Sequence, residues 1–452
     1  MRISQPTLTQ DGEAPWPRPF TAWSGVALLM AALFMSYVDR SILGLLVEPV
    51  KSSLHLTDTQ IGLVQGPAFG LFLTLAIAPA GWLADRGHRL RLIAAGLALW
   101  STMTALSGLC VSFAQLLLAR MGVAIGEASL TPTAPSLIAD DFPPHRRSLP
   151  ISLYAVGGAS GAGVALIAGG FIAAVAGIGD SIVLPGIGTV EPWRVIFVAL
   201  AVPGLLLVPP LLLRREPMRR DRAGEECTLR DLTAHFSVNR ATIVPLVLGV
   251  TLYQIQAAAL LAWIPAFFMR VHGWTIAEVG LRYGIVHLSF GIAGAIIGGT
   301  IATWVRRLGK PNANLLTASC AVACMVVPAM TATLVPSGLG AALLLGLFMG
   351  CAQASGGATI AAVQDLAPNR LRGKLTALFY ATVGLGGLTV GPLVIGILND
   401  LAFASRAGIG ASLALTGLLT LPASAGLLWM AAMKQVRSQA GALPEAISKK
   451  AD

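Results

Sequence analysis

Long apolar runs and short polar segments alternate along the whole chain. Each run holds about 20 residues or more with few charges, which is the length that a helix needs to cross the hydrocarbon core of a bilayer. The alternation therefore predicts twelve membrane-spanning helices. We place them at residues 22–47, 59–84, 91–110, 114–138, 148–176, 194–213, 243–268, 278–304, 313–335, 338–363, 374–400 and 408–433.

The composition agrees with this pattern. The 452-residue chain is 55% hydrophobic and only 12% charged, whereas an ordinary soluble domain carries about 25% charged residues. Its 50 glycines suit membrane helices that pack closely through small side chains. The five cysteines lack the spacing of a metal or disulfide site, so we expect no metal and no organic cofactor. We predict an all-α integral membrane protein.

Basic residues are distributed unevenly between the two sets of connecting segments. If the N-terminus lies in the cytoplasm, 24 of the 31 Lys and Arg residues fall in cytoplasmic segments and five in outside loops. The positive-inside rule then places both termini in the cytoplasm and makes the chain a multi-pass protein of the cell inner (plasma) membrane. This topology also accounts for the net charge of +10, so we expect membrane lipids and not nucleic acid as partners.

The widest polar interruption separates two halves of six spans each. The chain is thereby divided into a cytoplasmic tail at 1–21, a six-helix bundle at 22–213, a cytoplasmic linker at 214–242, a second six-helix bundle at 243–433 and a cytoplasmic tail at 434–452. We expect the protein to be a monomer.

The two halves repeat one another. Asp141 opens the sequence DFPPHRR before the fifth span, and Asp365 opens DLAPNRLR before the eleventh. Fifteen residues before these aspartates stand the sequences GEA and GCA, so Glu127 corresponds to Cys351. The second half has lost this charge, and any ion chemistry is expected in the first half alone.

Four charged residues lie well inside apolar spans. Asp39 and Arg40 are neighbours in the first span, whereas Arg120 and Glu127 stand seven residues apart on one face of the fourth. An ionisable residue at bilayer depth costs at least about 2.5–3.5 kcal/mol and usually marks a pathway. We predict that the four residues form one site, the alternative being a static cluster of salt bridges.

Several motifs resemble one known family. Residues 81–89 (GWLADRGHR) resemble the loop G-x-x-x-D-R-x-G-R of the major facilitator superfamily, with His88 where the family usually has Gly. Together with residues 37–40 (YVDR), 120–128 (RMGVAIGEA) and 135–140 (PSLIAD), they resemble the spinster branch of that superfamily, most strongly over residues 35–170. The resemblance implies two pseudo-symmetric six-helix bundles and transport by alternating access.

Spinster proteins include sphingolipid and lysolipid transporters, some of them proton-coupled. The resemblance therefore implies a lysolipid or sphingolipid-like substrate and protons as the coupling ion. It implies that Asp39 and Glu127 take part in proton coupling, with Asp39 as the favoured carrier. Arg40 and Arg120 would be their charge partners.

Other polar side chains complete the predicted site. We expect them to line an amphipathic cavity for a small amphipathic substrate: Tyr37, Tyr154, Tyr253, Gln254, Gln256, His287, Gln353 and Tyr380. Asp85 is the lone acid in a basic segment, and we predict that it latches the cytoplasmic side. The predicted gating residues are Asp85, Arg86, Arg89, Arg146, Arg147, Gly391 and Pro392.

Other functional classes fit less well. A drug or organic-anion exporter of the same superfamily is the nearest alternative. An enzyme would need a nucleophile and base, or a metal cluster, at reacting distance, and the sequence shows no such set. A transporter-like sensor would typically carry an added soluble domain.

Overall fold

A computed structural model of the protein describes residues 16–143, 146–176, 182–184, 188–219, 229–367, 371–405 and 407–448. Within these residues, twelve helical segments are long and apolar enough to cross a membrane. Each coincides with one of the twelve predicted spans, which confirms the all-α membrane fold. The chain is a multi-pass membrane protein.

The first half contains six of the spans, and two of them are divided into two helices by a local break. Its helices are α1 (Pro19–Leu45), α2 (Val47–Leu54), α3 (Asp58–Gln65), α4 (Pro67–Arg86), α5 (Arg89–Leu109), α6 (Phe113–Glu127), α7 (Leu130–Asp141), α8 (Ser148–Ala176) and α9 (Pro192–Leu213). Between α8 and α9, the strands β1 (Ile182–Leu184) and β2 (Gly188–Val190) form an antiparallel pair that the apolar pattern did not predict.

The second half contains the other six spans. Its helices are α10 (Leu229–Val271), α11 (Ile276–Glu278), α12 (Gly284–Arg307), α13 (Ala313–Thr331), α14 (Gly338–Leu366), α15 (Arg372–Leu401) and α16 (Gly408–Ser448). A π-helical turn at Val279–Tyr283 joins α11 to α12.

The two breaks follow from the sequence. Gly66 adopts φ −93° and ψ −94° before Pro67, which separates α3 from α4. Glu127 ends α6, and Pro132 and Pro135 follow it in α7, where they cannot donate backbone hydrogen bonds. One acidic residue of the predicted site thus lies at a kink in its span.

The linker predicted at 214–242 is shorter in the structure. Helix α10 begins at Leu229 and continues without a break into the membrane span. Leu232 packs against a small apolar cluster of Ala367, Leu371 and Leu375 beside it. This apolar contact supports the helix outside the span, where the polar composition alone had indicated a loop.

The two ends of the bundle are made of different segments. At one end, Arg214 after α9 donates hydrogen bonds to Oδ2 of Asp141 at 2.5 Å and to the carbonyl of Thr21 at 3.4 Å. We call this end, where α1 begins, the terminal face. The opposite end carries the last residues of α1, α10 and α15 and the first residues of α3, and we call it the distal face.

The halves approach each other closely toward the distal face. A Cβ on Gly62 of α3 would lie 2.8 Å from the carbonyl oxygen of Pro392 on α15. A Cβ on Gly280, in the π-helical turn, would lie 2.4 Å from Cα of Gly170 on α8. Because neither site has room for a side chain, glycine is what permits these helix crossings.

Candidate functional site

Helix α1 presents Asp39 and Arg40 in different directions, since neighbouring residues of a helix point about 100° apart. Asp39 is 3% exposed, and its Oδ2 accepts a hydrogen bond from Oγ1 of Thr104 on α5 at 3.1 Å. Its other oxygen, Oδ1, is buried and accepts no hydrogen bond from the described residues. Asp39 is therefore held in place but only half satisfied.

Glu127 accepts more hydrogen bonds than Asp39, all of them at one oxygen, while its buried Oε1 accepts none from the described residues. Its Oε2 accepts hydrogen bonds from Nε and Nη2 of Arg40 at 3.0 and 2.6 Å, and from Oγ of Ser36 at 2.6 Å. The guanidinium of Arg40 also lies over the ring of Phe69, 4.7 Å from its centre. The acid of α6 thus pairs with the base of α1, which fixes the first and fourth spans to each other.

Arg120 completes the group of four charges. It is 2% exposed, and among the described residues nothing accepts a hydrogen bond from its Nε or Nη1. Asp39 and Glu127 act on it electrostatically, and its guanidinium stands 5.5 Å from the ring centre of Phe69. The structure therefore brings the four predicted charges together, with one arginine paired and the other not.

Both arginines face a cavity between the two halves. The cavity has a volume of about 40 Å³ in this conformation; its charged and polar lining residues all belong to the first half, and the lining residues of the second half are apolar. The lining consists of Arg40, Leu43, Gln65, Phe69, Arg120, Ala258, Leu261, Ala262, Leu388 and Pro392. Such a wall suits a molecule with a polar head and an apolar body.

Four predicted tyrosines lie around the same region. Tyr37 is half-buried, with the guanidinium of Arg40 5.1 Å from its ring centre, and Tyr154 on α8 is half-buried against the apolar core of the first half. Tyr380 on α15 is 48% exposed, whereas Tyr253 on α10 is 4% exposed and packs in the core. Within the described residues, none of these tyrosines belongs to the lining of the cavity.

The remaining predicted cavity residues are placed differently. Gln256 is fully buried and donates from Nε2 to the carbonyl of Leu413, inside the second half. His287 is 3% exposed, with Nδ1 3.4 Å from the hydroxyl of Tyr283 one helical turn away. Gln256 thus binds helix α16 instead of lining the cavity, because it lies on the inner face of α10.

Gln254 and Gln353 have less specific surroundings. Gln254 is half-buried, with its Cβ against Gly387 of α15. Gln353 is also half-buried and faces Gly291 of α12.

The predicted gating residues divide into a buried and an exposed set. Arg89 is 2% exposed and donates to Oδ2 of Asp140 at 2.5 Å and to Oε1 of Glu216 at 2.8 Å. Asp85, by contrast, is exposed, and Arg219 donates to the backbone carbonyls of Ala84 and Asp85 instead. Arg89 is therefore held in buried ion pairs, and among the described residues no side chain pairs with Asp85 in this conformation, so the gating roles of both residues stay predictions.

The other basic gating residues stay near the terminal face. Arg86 lies with its guanidinium 4.5 Å from the ring centre of Trp82, Arg146 is exposed, and Arg147 donates from Nε to the carbonyl of Phe142 at 2.9 Å.

Gly391 and Pro392 lie where α15 meets two other helices. A Cβ on Gly391 would stand 2.3 Å from the carbonyl oxygen of Ile255 on α10. The carbonyl of Pro392 accepts a hydrogen bond from Nε1 of Trp263 at 2.9 Å. Gly391 thus serves close packing within the second half, whereas Pro392 also contacts the first half.

A charged group at the distal face was not predicted. Arg270, at the end of α10, donates to Oε1 of Glu48 at 2.7 Å and to both carboxylate oxygens of Asp58 at 2.5 and 2.9 Å. Lys51 also pairs with Asp58, which is only 3% exposed. We call these four residues the distal clamp, because Arg270 belongs to the second half and the other three to the first.

The end of α15 strengthens the distal clamp. Nδ2 of Asn399 donates to Oδ2 of Asp58 at 2.9 Å, and Oδ2 of Asp400 accepts from the backbone N–H of Thr59 at 2.7 Å. Negative charge at a helix N-terminus is favourable, so Asp400 caps a helix of the opposite half. The signal available in the sequence was the cluster of charges in the loop between the first two spans.

These features agree with comparisons to known proteins. The family model of the Major Facilitator Superfamily matches residues 29–391. The chain belongs to the major facilitator superfamily. Among solved structures, this major facilitator protein is similar to a bacterial homologue of the human lysosomal transporter Spinster, in its inward-facing and unoccupied conformation. The TM-score is 0.75 at 27% identity, covering 92% of this chain and 96% of the other. The prediction of a spinster-type member is confirmed.

Two curated relatives of this major facilitator protein are named as an efflux pump and a transporter. It is 31% identical over 394 residues to an MFS-type efflux pump of Mycolicibacterium smegmatis, covering 84% of this chain and 85% of the relative. It is 27% identical over 350 residues to a probable L-galactonate transporter of Escherichia coli, covering 74% of this chain and 73% of the relative. The protein is a spinster-like transporter.

Proposed function

We propose that the protein is a secondary active transporter that moves a small amphipathic molecule, a lysolipid or sphingolipid-like lipid, by proton-coupled alternating access. It works as a monomer in the cell inner (plasma) membrane, with both termini in the cytoplasm. The terminal face is then the cytoplasmic face, and the distal face is the outer one.

The observation that carries this proposal is the four-charge group beside the cavity between the halves. Charges inside a membrane are costly and are kept where they bind ions or substrate. A static cluster would pair all its members, yet Nε and Nη1 of Arg120 and one oxygen each of Asp39 and Glu127 have no hydrogen-bond partner among the described residues. The incomplete pairing of these charges supports a functional site over a static cluster of salt bridges.

The two acids have different surroundings and therefore different roles. Glu127 accepts three hydrogen bonds and keeps Arg40 in place. Asp39 accepts one hydrogen bond, from Thr104, and its free Oδ1 can take a proton without breaking an ion pair. Asp39 is the proton carrier, and Glu127 holds the site together.

The position of the distal clamp supports alternating access. In this conformation Arg270 ties the halves together at the outer face. Opening the cavity outward requires that Arg270 leave Glu48 and Asp58, while the terminal face closes. We propose that Asp85, which is exposed at the terminal face here, forms its latch in that second state.

Transport by the purified protein in liposomes tests the proposal. With fluorescent lysophosphatidylcholine as the probe, wild type is expected to accumulate substrate under a pH gradient and to exchange it at equilibrium. Asp39→Asn should lose pH-driven accumulation but keep exchange, whereas Glu127→Gln should impair both, because it leaves Arg40 without its partner. Full accumulation by Asp39→Asn would exclude Asp39 as the carrier.

A second candidate is an exporter of drugs or organic anions. The 31% identity to an MFS-type efflux pump and the similarity to a probable L-galactonate transporter favour it. The same liposomes distinguish the two functions when the lysolipid is replaced by ethidium or by L-galactonate. Transport of either compound, without transport of lysolipid, would support this second function.

A further inference from the structure

A second cavity lies within the second half, near the terminal face. It is bounded by α10, the end of α14 and the start of α15, and it has a volume of about 270 Å³, whereas the cavity between the halves has about 40 Å³. Pockets for small molecules usually have about 300–1,000 Å³, so this one suits a single flexible apolar chain. We call it the apolar groove, and its lining includes Phe236, Val247, Leu248, Val363, Phe379 and Thr382.

The apolar groove lies on a different side of α15 from the cavity between the halves. Leu388 lines that cavity, and Phe379, about two and a half turns earlier, points about 180° away from it. Leu248 and Leu378, which also line the groove, are 51% and 48% exposed. Apolar side chains exposed on the outside of a membrane span contact acyl chains, so the groove opens toward lipid.

Two polar side chains stand at the end of the apolar groove that is nearer the terminal face. Arg240 lies one turn after Phe236 and one turn before Val244, hence on the face of α10 that lines the groove. Arg240 is exposed and forms no ion pair with another described residue. His235 lines the groove, and its buried Nε2 has no hydrogen-bond partner among the described residues. An apolar body thus ends in a cation and a ring nitrogen that both lack partners.

The depth of Arg240 matches that of lipid head groups. The apolar run of this span begins at residue 243, so Arg240 stands at the boundary between the hydrocarbon core and water. The distribution of Lys and Arg predicts that the terminal face is cytoplasmic, and the cytoplasmic leaflet carries anionic lipids. Basic residues beside pockets between membrane helices on that side bind the head groups of such lipids.

We propose that the apolar groove binds an anionic phospholipid of the surrounding membrane. One acyl chain lies between Val247, Val363 and Phe379. The guanidinium of Arg240 holds the phosphate, and Nε2–H of His235 donates to an oxygen of the same head group. The lipid is a resident ligand and not cargo, so this inference goes beyond the proposed function and does not depend on which molecule is transported.

Native mass spectrometry of the delipidated protein tests the lipid site. The probes are phosphatidylglycerol and phosphatidylcholine with identical oleoyl chains, and inorganic phosphate as the charged group alone. Wild type should bind one phosphatidylglycerol about fivefold more tightly than phosphatidylcholine, which is the effect of one basic residue on an anionic lipid, and should not retain inorganic phosphate. Equal affinity for the two lipids, or binding of phosphate in place of lipid, would overturn the proposal.

Charge variants test the role of Arg240. Arg240→Gln should lower the affinity for phosphatidylglycerol to that for phosphatidylcholine, and His235→Leu should lower it about threefold, as the loss of one hydrogen bond allows. Arg307→Gln is the matched control, because it removes an exposed arginine from the terminal end of α12, away from the groove. An equal loss of affinity in Arg240→Gln and Arg307→Gln would attribute the preference to overall charge and overturn the site.

Tryptophan variants test the groove itself. Val247→Trp should fill it and abolish the bound phosphatidylglycerol, together with the rise in unfolding temperature that this lipid gives wild type. Thr382→Trp, at an exposed position of the lining, blocks the entrance and keeps the test valid if Val247→Trp does not fold. Ile301→Trp, exposed on α12, and Leu388→Trp, in the cavity between the halves, should bind the lipid as wild type does. Lipid retained by both groove variants, or lost in Leu388→Trp, would place the lipid elsewhere and overturn the inference.

Discussion

Asp39 and Arg40 are adjacent in sequence but do not pair with each other. Arg40 reaches Glu127 on another helix, and Asp39 receives its hydrogen bond from Thr104 on a third. Because the two residues are adjacent, the acid and the base lie at the same depth in the span, and each binds a different helix. This separation allows one member to change its protonation state while the other keeps its ion pair.

The pair of Arg40 and Glu127 gives a prediction about stability. Arg40→Gln should destabilise the protein by ~3–5 kcal/mol, because it leaves a buried carboxylate unpaired. The double variant Arg40→Gln with Glu127→Gln should recover most of that loss but not transport. Thermal unfolding in detergent measures the first effect, and liposome uptake the second.

A double variant as unstable as Arg40→Gln alone would contradict this account. It would mean that the cost does not come from the unpaired charge of Glu127.

At the scale of residues, the sequence predicted positions well where a residue type was unusual for its surroundings, such as a charge in an apolar span. Four charges in apolar spans could be predicted to lie together because an unpaired charge in the membrane is costly. Gln256 was misplaced because the sequence does not show which face of a uniformly apolar helix turns inward. Gln65 was missed because an amide near the end of a span is common and gives no signal.

At the scale of helices, contacts between the halves depend on glycine at a few crossings. The crossing of α8 with the π-helical turn at Gly170 and Gly280 leaves no space for a side chain. Sliding or separation of these helices therefore changes the contact between the halves directly. The distal clamp provides the electrostatic part of the same contact.

Gly280→Leu should prevent the halves from closing at the distal face. A Cβ at this position would lie 2.4 Å from Cα of Gly170, so the protein should favour a distally open conformation and lose transport by tenfold or more, an effect of roughly 1.4 kcal/mol or greater. Spectroscopic distances across the distal face measure the conformational shift.

Gly299→Leu is the control for this substitution, because a Cβ at Gly299 meets nothing within 4 Å. It should leave both transport and the distances unchanged. Equal effects of the two substitutions would show that the crossing is not the cause.

Arg270→Gln should weaken the distal clamp. The buried Asp58 would keep Lys51 but lose Arg270, and like charges on Glu48 and Asp58 would face each other without their shared cation. The distal face should open more often, so a cysteine placed at Ser53 should react faster with a polar maleimide. An unchanged rate would indicate that the halves are held together by packing alone.

The extent of α10 and the distal clamp were both difficult to predict, for one reason. Charges near the end of a span are ordinary, and only their partners in the folded molecule distinguish a solvated loop from a clamp. Arg270 and Asp58 lie more than 200 positions apart in the chain, and no local pattern connects them.

For the whole molecule, the orientation in the membrane is the property that the sequence predicts and the fold does not test. The split of 24 to five basic residues predicts a cytoplasmic terminal face. In a background without native cysteines, a cysteine at Ser337 should be labelled from outside in intact cells, and one at Leu308 should not. The reverse pattern would place the distal clamp in the cytoplasm.

The two halves have similar ion pairs at the terminal face. Asp365 accepts from Arg306 and Asn314 in the second half, as Asp140 accepts from Arg89 in the first. The halves differ in the middle of the membrane, where Glu127 corresponds to Cys351. The helical architecture is thus repeated, whereas the charge of Glu127 is not.

The apolar second-half wall of the cavity has an evolutionary consequence. The second half contributes only apolar residues to this wall, so Ala258, Leu261 and Leu388 can be substituted without disturbing the ion pair of Arg40 and Glu127 in the first half. Under the proposed transport function, mutations in the second half would then change the substrate range mainly, and the charged residues proposed for coupling would stay intact. Directed evolution toward new cargo should therefore begin at these three positions.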